Sequence, residues 1–353
     1  MTRYLYIGTY TQSGPETHRQ EGIFLYSMDA VSGRLTFQQA FDGGMNPSFL
    51  AIHPTGKYLF AVNELQSGEV SSFSIQSKTG ELNFLSRQPT KGAAPCYVST
   101  DAGGQWLLVT NYSSGSLAVY PIHEGLIGPM ADFIQHEGKG PNPVRQERAH
   151  AHSIRFAPEG RFILAADLGL DEVRVYSQDT RTGKLQLNSK LSTHPGSGPR
   201  HFDFHPNGRL VYIANELDST ITACRWDGNA GVLTAFQTLS TLPASFKGEN
   251  IVADIHIHPN GRLVYVSNRG HHSLAIYEID SISGQLTFLR HQETLGQWPR
   301  NFSLDPEGRF LIVANQYSDN LVGFEVSQRS GDLTPMGELA KVPSPVCVRF
   351  LDL

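Results

Sequence analysis

The sequence lacks the features that would place the chain in a membrane or on a nucleic acid. Nowhere do about 18 consecutive apolar residues occur, the length that a membrane helix requires. Lys and Arg total 28 against 33 Asp and Glu, and no basic run is present to neutralise a phosphate backbone. The apolar stretch within MTRYLYIGTYTQSG is too short for a signal peptide. We therefore expect a soluble cytoplasmic protein that binds neither membrane nor nucleic acid.

Reactive and cofactor-binding motifs are also scarce. The three cysteines, Cys96, Cys224 and Cys347, form no Cys-x-x-Cys pair, which argues against a disulfide framework and a thiolate metal site. The chain has no Gly-x-Ser-x-Gly elbow and no phosphate-binding glycine-rich loop before a helix. We expect buried, inert cysteines and no cofactor.

What the chain has instead is glycine, proline and an internal repeat. Charged residues make up only 17%, against about 25% in average proteins, while 34 Gly and 20 Pro supply many turns. Segments of the form Pro-x5-His-Pro-x-Gly recur, some of them loosely, every 47 to 56 residues, which is the length of one propeller blade. Their turn glycines are Gly56, Gly104, Gly160, Gly208, Gly261 and Gly308.

Each repeat predicts four antiparallel strands. In RHFDFH, Phe202 and Phe204 alternate with polar residues, and the following LVYIA is continuously apolar, as in a strand buried on both faces. The His-Pro-Asn-Gly between them is typical of a tight turn. Two further apolar stretches follow, so the unit is a four-stranded blade.

Six copies are complete, and the two termini supply a seventh. The C-terminal PVCVRFLDL from Pro345 resembles a first strand, and the N-terminal RYLYIGTY from Arg3 resembles a second strand. Pairing them in one shared blade closes the ring and leaves no propagating edge. We predict an all-β, seven-bladed β-propeller that forms a single domain over residues 1–353. A β-helix would have much shorter repeats, and no linker marks two domains.

Residues that recur at one position of every repeat are expected to hold the fold. We interpret the turn histidines, such as His53, His205 and His258, as hydrogen-bond partners of turn amides. We expect the asparagines that end the second strands, such as Asn63, to close the next turn through an Asx bond. Departures from the repeat are therefore the better candidates for chemistry.

Charged residues depart from the repeat at one face of the predicted disc. The first strand of each blade begins at this face and the second strand ends there. The two positions hold charged or titratable side chains in several blades: His152, Arg200, Arg300, Glu64, Glu216 and Arg269. We expect Arg200 and Glu216 to be neighbours across one hairpin, either as a structural ion pair or as part of a site for a small anion.

A metal site is a weaker alternative. His150 and His152 form a His-x-His pair, whose side chains point the same way on a strand, and His271 and His272 are further potential zinc ligands. The register places no clear third ligand beside them. We therefore expect no metal.

Over essentially its whole length the sequence resembles the bacterial propeller-type lactonases. The resemblance is carried by GPRH at 198–201, HP at 205–206, NEL at 215–217, ADIH at 253–256 and PRNF at 299–302. That family includes 6-phosphogluconolactonase of the cycloisomerase type and is similar to the fungal carboxymuconate-lactonising enzymes. It implies the catalytic residues His152, Glu216, Arg200 and Arg300. The expected substrate-binding residues are Glu64, Asn215, Arg269, His201 and Asp254.

The resemblance implies hydrolysis of a sugar lactone, foremost 6-phosphogluconolactone in the pentose phosphate pathway. We expect a metal-independent acid/base mechanism with His152 as base, because an unperturbed imidazole titrates near pH 6.5. Glu216 would orient the base or the water, and the two arginines would bind substrate anions and the oxyanion. A lactonising cycloisomerase and a non-catalytic propeller that binds a small anion or a protein are alternatives. We expect a small anionic lactone as the binding partner, and a chain that is a monomer or a weak homodimer.

The segment 121–149 departs from the repeat and is rich in Gly and Pro. We interpret it as an insertion that leads into His152 and covers the site, or as a solvated loop. Lys139, Arg145 and Arg148 lie in it, within potential reach of a substrate phosphate.

Overall fold

The structure, a computed structural model, describes residues 3–12 and 19–352. Within these residues the chain forms seven antiparallel sheets and no helix. The described part of the chain accordingly contains no helix that is long and apolar enough to cross a membrane. The seven sheets confirm the predicted seven-bladed propeller.

The strands follow one another through the blades in chain order. Blades 1 to 4 contain β1 Arg3–Thr9, β2 Glu21–Met28, β3 Leu35–Asp42; β4 Phe49–Ile52, β5 Tyr58–Asn63, β6 Glu69–Ile75, β7 Leu82–Pro89; β8 Pro95–Thr100, β9 Trp106–Asn111, β10 Ser116–His123, β11 Leu126–Ile127, β12 Asp132–Gln135; and β13 Ala151–Phe156, β14 Phe162–Asp167, β15 Glu172–Gln178, β16 Leu185–Ser192. Blades 5 to 7 contain β17 Pro199–Phe204, β18 Leu210–Asn215, β19 Thr220–Asp227, β20 Val232–Ser240; β21 Ile251–Ile257, β22 Leu263–Arg269, β23 Ser273–Ile279, β24 Leu286–Glu293; and β25 Pro299–Leu304, β26 Phe310–Asn315, β27 Asn320–Val326, β28 Leu333–Lys341. The last strand, β29 Pro345–Asp352, returns to blade 1.

Blade 1 is shared by both ends of the chain. β29 pairs antiparallel with β1, so that the order of strands from the channel outwards is β29, β1, β2 and β3. The C-terminal segment is thus the first strand and the N-terminal segment the second strand, as predicted. Closure of the ring rests on hydrogen bonds and packing, without a covalent link.

Burial falls from the second strand of a blade to the fourth. Every residue of β18 is buried, because both faces of this strand are covered by neighbouring blades, whereas only Leu233 of β20 is buried and the rest of that strand is half-buried or exposed. Between blades the apolar faces interlock, as where the rings of Phe162 and Trp226 lie 5.9 Å apart, edge to face. The core is therefore a series of layers between blades.

The turn histidines of three blades tie each of these blades to the next one along the chain. His205 Nε2 donates to the carbonyl of Gly261 at 2.7 Å, while its Nδ1 accepts from the amide of Asn207 in its own turn. His53 Nε2 makes the equivalent bond to Gly104 at 3.0 Å. These contacts explain the recurrence of histidine there by structure alone, as expected.

The repeated asparagines do something different from what we expected. Asn63 Nδ2 donates to the carbonyls of Gly43 and Met45, which belong to the connection from the preceding blade. Asn268 Nδ2 likewise donates to Thr241. The prediction of an Asx bond that closes the following turn was wrong for these asparagines, because the long connection between blades leaves carbonyls that need buried donors. It is confirmed at Asp167, which occupies the same position of the repeat, since its Oδ1 accepts from the amide of Leu170 at 3.2 Å.

The first strands of neighbouring blades do not pair through their backbones, since each blade is a separate sheet. Side chains bridge them instead. The Ser153 hydroxyl donates to the carbonyl of Arg200 at 2.7 Å, and Asn301 Oδ1 accepts from the amide of Val348 at 2.7 Å. Polar side chains therefore surround the central channel.

The segment 121–149 is only partly an insertion. It contains β11 and β12, which pair with β10 and occupy the outer position of blade 3. The remainder crosses towards blade 4, where the buried His136 lies 2.7 Å from Asp167 Oδ2 and 2.7 Å from the Tyr176 hydroxyl. This segment is thus anchored, which corrects the interpretation of it as wholly inserted.

Arg3 provides a test of ring closure. Its guanidinium lies 2.7 Å from Asp352 in β29 and 2.6 Å from Asp305, whose side chain is fully buried next to blade 1. Replacing Arg3 with Met removes the counterion of Asp305, so we expect the free energy of unfolding to fall by about 2–3 kcal/mol in denaturant titrations. The exposed Arg34 of the same blade is the control, and Arg34→Met should change it by less than about 0.5 kcal/mol. Equal effects would contradict a role of Arg3 in closure.

Candidate active site

A cavity of about 260 Å³ opens at one end of the central channel. Its lining residues are Glu64, Cys96, Tyr112, Arg145, His152, Glu216, Ile251, Arg269, Trp298, Arg300 and Tyr317. Below it the channel narrows, and this deeper part is lined by residues that include Arg200 and His201. Most of the charged residues that depart from the repeat therefore meet at one face.

A β-bulge directs the second residue of several first strands into the channel. The pairing of β17 with β18 shifts between Pro199 and His201, so Arg200 has no partner in the ladder. The same shift frees His152 in β13 and Arg300 in β25. A residue released in this way can point out of the sheet, and bulges commonly re-aim functional side chains.

Glu216 is the centre of the ionic cluster. Its Oε2 lies 2.9 Å from Arg200 Nε and 2.7 Å from Arg269 Nη2, and its Oε1 contacts Arg145. Burial alone would raise the pKa of Glu216, but the charges of Arg269, Arg200 and Arg145 outweigh it and lower this pKa to about 2. Glu216 is therefore an ionised anchor for guanidinium groups.

Two of these guanidinium groups are held by the backbone as well as by Glu216. Arg200 and Arg269 are 3% exposed, and each also donates to a backbone carbonyl of β21, Arg200 to Ala253 and Arg269 to Val252. The Nε–H of Arg269 has no acceptor in the described part of the chain, whereas Nε of Arg200 faces Glu216. Fixed guanidinium groups of this kind suit an anionic ligand.

Glu64 organises the opposite side of the cavity. Its Oε2 accepts from the Tyr10 hydroxyl at 2.9 Å and from the Ser48 hydroxyl at 2.5 Å. Arg300 donates to the same Tyr10 hydroxyl at 2.8 Å and lies over the Tyr10 ring. Burial lowers the pKa of Arg300, but the negative charges around it outweigh burial, so it stays protonated.

His152 lines the same cavity as Glu64 and Glu216 and is 5% exposed. Its Nδ1 is 3.7 Å from the Cys96 thiol, and its Nε2 has no hydrogen-bond partner among residues 3–12 and 19–352. Burial first, and then the charges of Arg200, His201 and Arg300, hold the pKa of His152 well below its usual range. The imidazole is therefore neutral at physiological pH and able to accept a proton.

The family model of the seven-bladed β-propeller lactonases matches residues 4–350. The chain belongs to this lactonase family. It is 37% identical to the 6-phosphogluconolactonase of Bacillus subtilis over 99% of both chains. It is 35% identical to that of Formosa agariphila over 85% of this chain and 86% of the relative. The periplasmic gluconolactonase of Pseudomonas aeruginosa has the same fold, with a TM-score of 0.92, 33% identity, and coverage of 100% and 99%.

Three predicted substrate-binding residues of this lactonase do not line the open cavity. His201 lies in the narrow part of the channel, where its Nδ1 is 2.7 Å from Asp254 Oδ1. Asp254 is buried behind it and also binds His256 and Asn301. Both residues therefore support the site from below.

Asn215 is turned away from the cavity. Its Nδ2 donates to the hydroxyls of Thr220 at 2.8 Å and Thr222 at 2.9 Å, both in the neighbouring strand β19. Asn215 ends β18 and directly precedes Glu216, so the sequence suggested that it lies at the site. The alternation of side chains along the strand directs it instead to the other face of the blade.

His150 and His152 do not share a metal site. His150 Nδ1 donates to the Tyr112 carbonyl, and its Nε2 faces Glu147 at 3.1 Å. No group of three potential metal ligands is found in the described residues.

Sequence reasoning missed an aromatic wall. The rings of Trp298 and Tyr317 stack 4.9 Å apart at the cavity, and Trp298 also lies next to the Arg269 guanidinium. Trp298 directly precedes Pro299 and has a φ of 65°, a left-handed conformation that another blade gives to Gly198. The tryptophan just before the entry proline, a position that holds Gly198 in another blade, was the feature of the sequence that could have indicated this aromatic wall.

The cysteines of this lactonase should be unreactive. Burial raises the pKa of the thiols of Cys96 and Cys224 to about 12, and Cys347 is also buried. We expect 5,5′-dithiobis(2-nitrobenzoate) to label almost no thiol of the native protein at about pH 8 and all three in guanidinium chloride. Rapid labelling of the native protein that is lost in Cys96→Ser would instead show an accessible thiol in the cavity.

Proposed function

We propose that this protein hydrolyses a sugar lactone to the open-chain acid, foremost 6-phosphogluconolactone to 6-phosphogluconate. The observation that carries the proposal is the neutral imidazole of His152 in one cavity with four guanidinium groups. The names of the two full-length or nearly full-length relatives support this substrate. Ester hydrolysis needs a base, an oxyanion site and a proton for the leaving oxygen, and the cavity supplies each of them.

His152 is the proposed general base. Its unpartnered Nε2 takes a proton from a water molecule, and the water oxygen attacks the lactone carbonyl carbon. The low pKa of the buried imidazole makes it a modest base, but it also makes the imidazolium a strong acid. The imidazolium then returns the proton to the ring oxygen as the carbon–oxygen bond breaks, which leaves the carboxylic acid and a free hydroxyl.

We propose that Arg300 and Arg200 bind the oxyanion that develops on the lactone carbonyl and the carboxylate of the product. In the described part of the chain, Arg300 donates through its side chain only to the Tyr10 hydroxyl, so further N–H groups are available to the cavity. A preorganised guanidinium stabilises the negative charge that develops on the carbonyl oxygen without reorganisation of solvent. The aromatic wall offers an apolar surface to the sugar ring.

Glu216 has a different role from the one expected from the sequence. Three guanidinium groups hold it ionised, so it neither donates a proton nor acts as an effective base. We propose that it positions Arg200 and Arg269 and offsets their mutual repulsion. Glu64 and Arg269 complete the polar lining.

Substitution of His152 tests the base. In assays of phosphorylated and plain gluconolactones and of a muconolactone, with spontaneous hydrolysis subtracted, the wild-type protein should hydrolyse a gluconolactone. His152→Asn should lower kcat by about 10²- to 10⁴-fold, the range that general bases contribute, and Arg300→Met by about 10²- to 10³-fold. The exposed His123 supplies the control His123→Asn, which should retain full activity. Unchanged activity in both site variants, or consumption of the muconolactone alone, would refute the proposal.

The pH profile tests the electrostatics of His152. Because the pKa of its imidazole is lowered, the base form persists well below the usual value of about 6.5, and activity falls only at lower pH still. We expect kcat/KM to stay level between about pH 6 and 8. In Arg300→Met the acid limb should move to higher pH, since one of the charges that lower this pKa is removed. An inflection near pH 6.5 in the wild-type protein would contradict a buried His152 as base.

A further inference from the structure

One arginine of the site, Arg145, does not come from a blade strand. Arg200, Arg269 and Arg300 lie in blade strands, whereas Arg145 belongs to the segment 121–149, which crosses from blade 3 to blade 4. Its side chain contacts Glu216 Oε1 and donates to the Tyr112 hydroxyl at 3.2 Å. The position of this arginine is therefore set by a connection that can vary without changing the propeller.

The backbone at Arg145 is firmly held. The amide of Arg145 donates to Asn142 Oδ1 at 3.1 Å, which forms a tight turn. The next residue, Gln146, is fully buried and donates to the Leu168 carbonyl at 2.8 Å and to Asp171 at 2.7 Å. The Arg145 guanidinium thus extends into the cavity from a backbone that is held in place.

The Arg145 side chain itself is free to change partners. It is 35% exposed, while those of Arg200 and Arg269 are 3% and 4% exposed and bound to backbone carbonyls. In the described residues Arg145 has only side-chain partners, and Glu216 keeps two other cations if Arg145 leaves it. An incoming anion at the rim can therefore compete with Glu216 for this guanidinium.

The charges of the site exceed what a neutral lactone needs. Four guanidinium groups surround two carboxylates, Glu64 and Glu216, so two formal positive charges have no counterpart in the lining. A phosphate monoester carries about −1.5 to −2 near neutral pH. A planar guanidinium can bind two of its oxygens at once.

We propose that Arg145 is the specificity-determining residue for a phosphate on the lactone, which it binds at the rim by leaving Glu216 while the lactone carbonyl lies deeper, next to His152. This inference rests on the proposed function for the identity of the ring, but the phosphate preference is measurable without catalysis. Arg148, in the same segment, is 64% exposed, pairs with Glu147 and does not line the cavity. It is the matched control.

Equilibrium binding of 6-phosphogluconate and of gluconate, measured by calorimetry, tests the proposal. The wild-type protein should bind the phosphorylated acid more tightly, and Arg145→Met should lower that preference by about 10- to 100-fold, the value of a charged hydrogen bond. Arg145→Lys should keep part of the preference, since it retains the charge but loses the planar fork. Arg148→Met should keep all of it. The unfolding temperature of each variant verifies that the fold is intact.

The outcomes separate this inference from the proposed function. An equal affinity of the wild-type protein for the two acids, or a preference that survives Arg145→Met, overturns the role of Arg145. An Arg145-dependent preference in a protein that hydrolyses no lactone supports the phosphate site and refutes the hydrolase. In an active protein, the ratio of kcat/KM for the phosphorylated lactone to that for the plain lactone should fall in Arg145→Met, mainly through KM.

Discussion

The first strands of the seven blades converge on the channel without sharing a backbone ladder, and this constraint shapes both the stability and the chemistry of the protein. Because each blade is its own sheet, the gap between adjacent first strands is bridged by side chains such as Ser153 and Asn301. A layer of buried polar groups is therefore required by the architecture. Where the first strand begins with a bulge, the same layer can present a catalytic group instead of a structural one.

The site is a buried balance of charge with a surplus of cations. A carboxylate with three guanidinium partners costs desolvation, and such clusters are seldom favourable for stability alone. Here Glu216 keeps arginines of different blades close together despite their repulsion. Burial, together with that cationic environment, keeps the pKa of His152 low and its imidazole neutral, so the same cluster prepares both an anion-binding site and the base.

The regular repeat in the sequence predicted the fold, whereas residues that depart from the repeat predicted the site. The spacing of the turn glycines and the split pattern of the termini predicted the number of blades and their closure, because each blade repeats one local pattern of strands and turns. The position that opens each first strand singled out His152, Arg200 and Arg300. Glu216, the ion-pair partner of Arg200, followed from hairpin pairing. Asn215 was misplaced and Trp298 was missed, since the face to which a side chain points at the end of a strand depends on bulges and on the backbone conformation of the connection.

The seven four-stranded blades, the joining of the two termini and the face at which charged side chains gather follow from the sequence alone, because turns, alternation and strand pairing are local rules that repeat. Which of these residues touch depends on the three-dimensional arrangement of the blades. It placed Arg145 on Glu216, His201 on Asp254 and the outer strands β11 and β12 within what seemed an insertion. The first two contacts join different parts of the ring, so their geometry depends on how the whole ring closes. The pairing of β11 and β12 with β10 lies within blade 3 and depends on strand register.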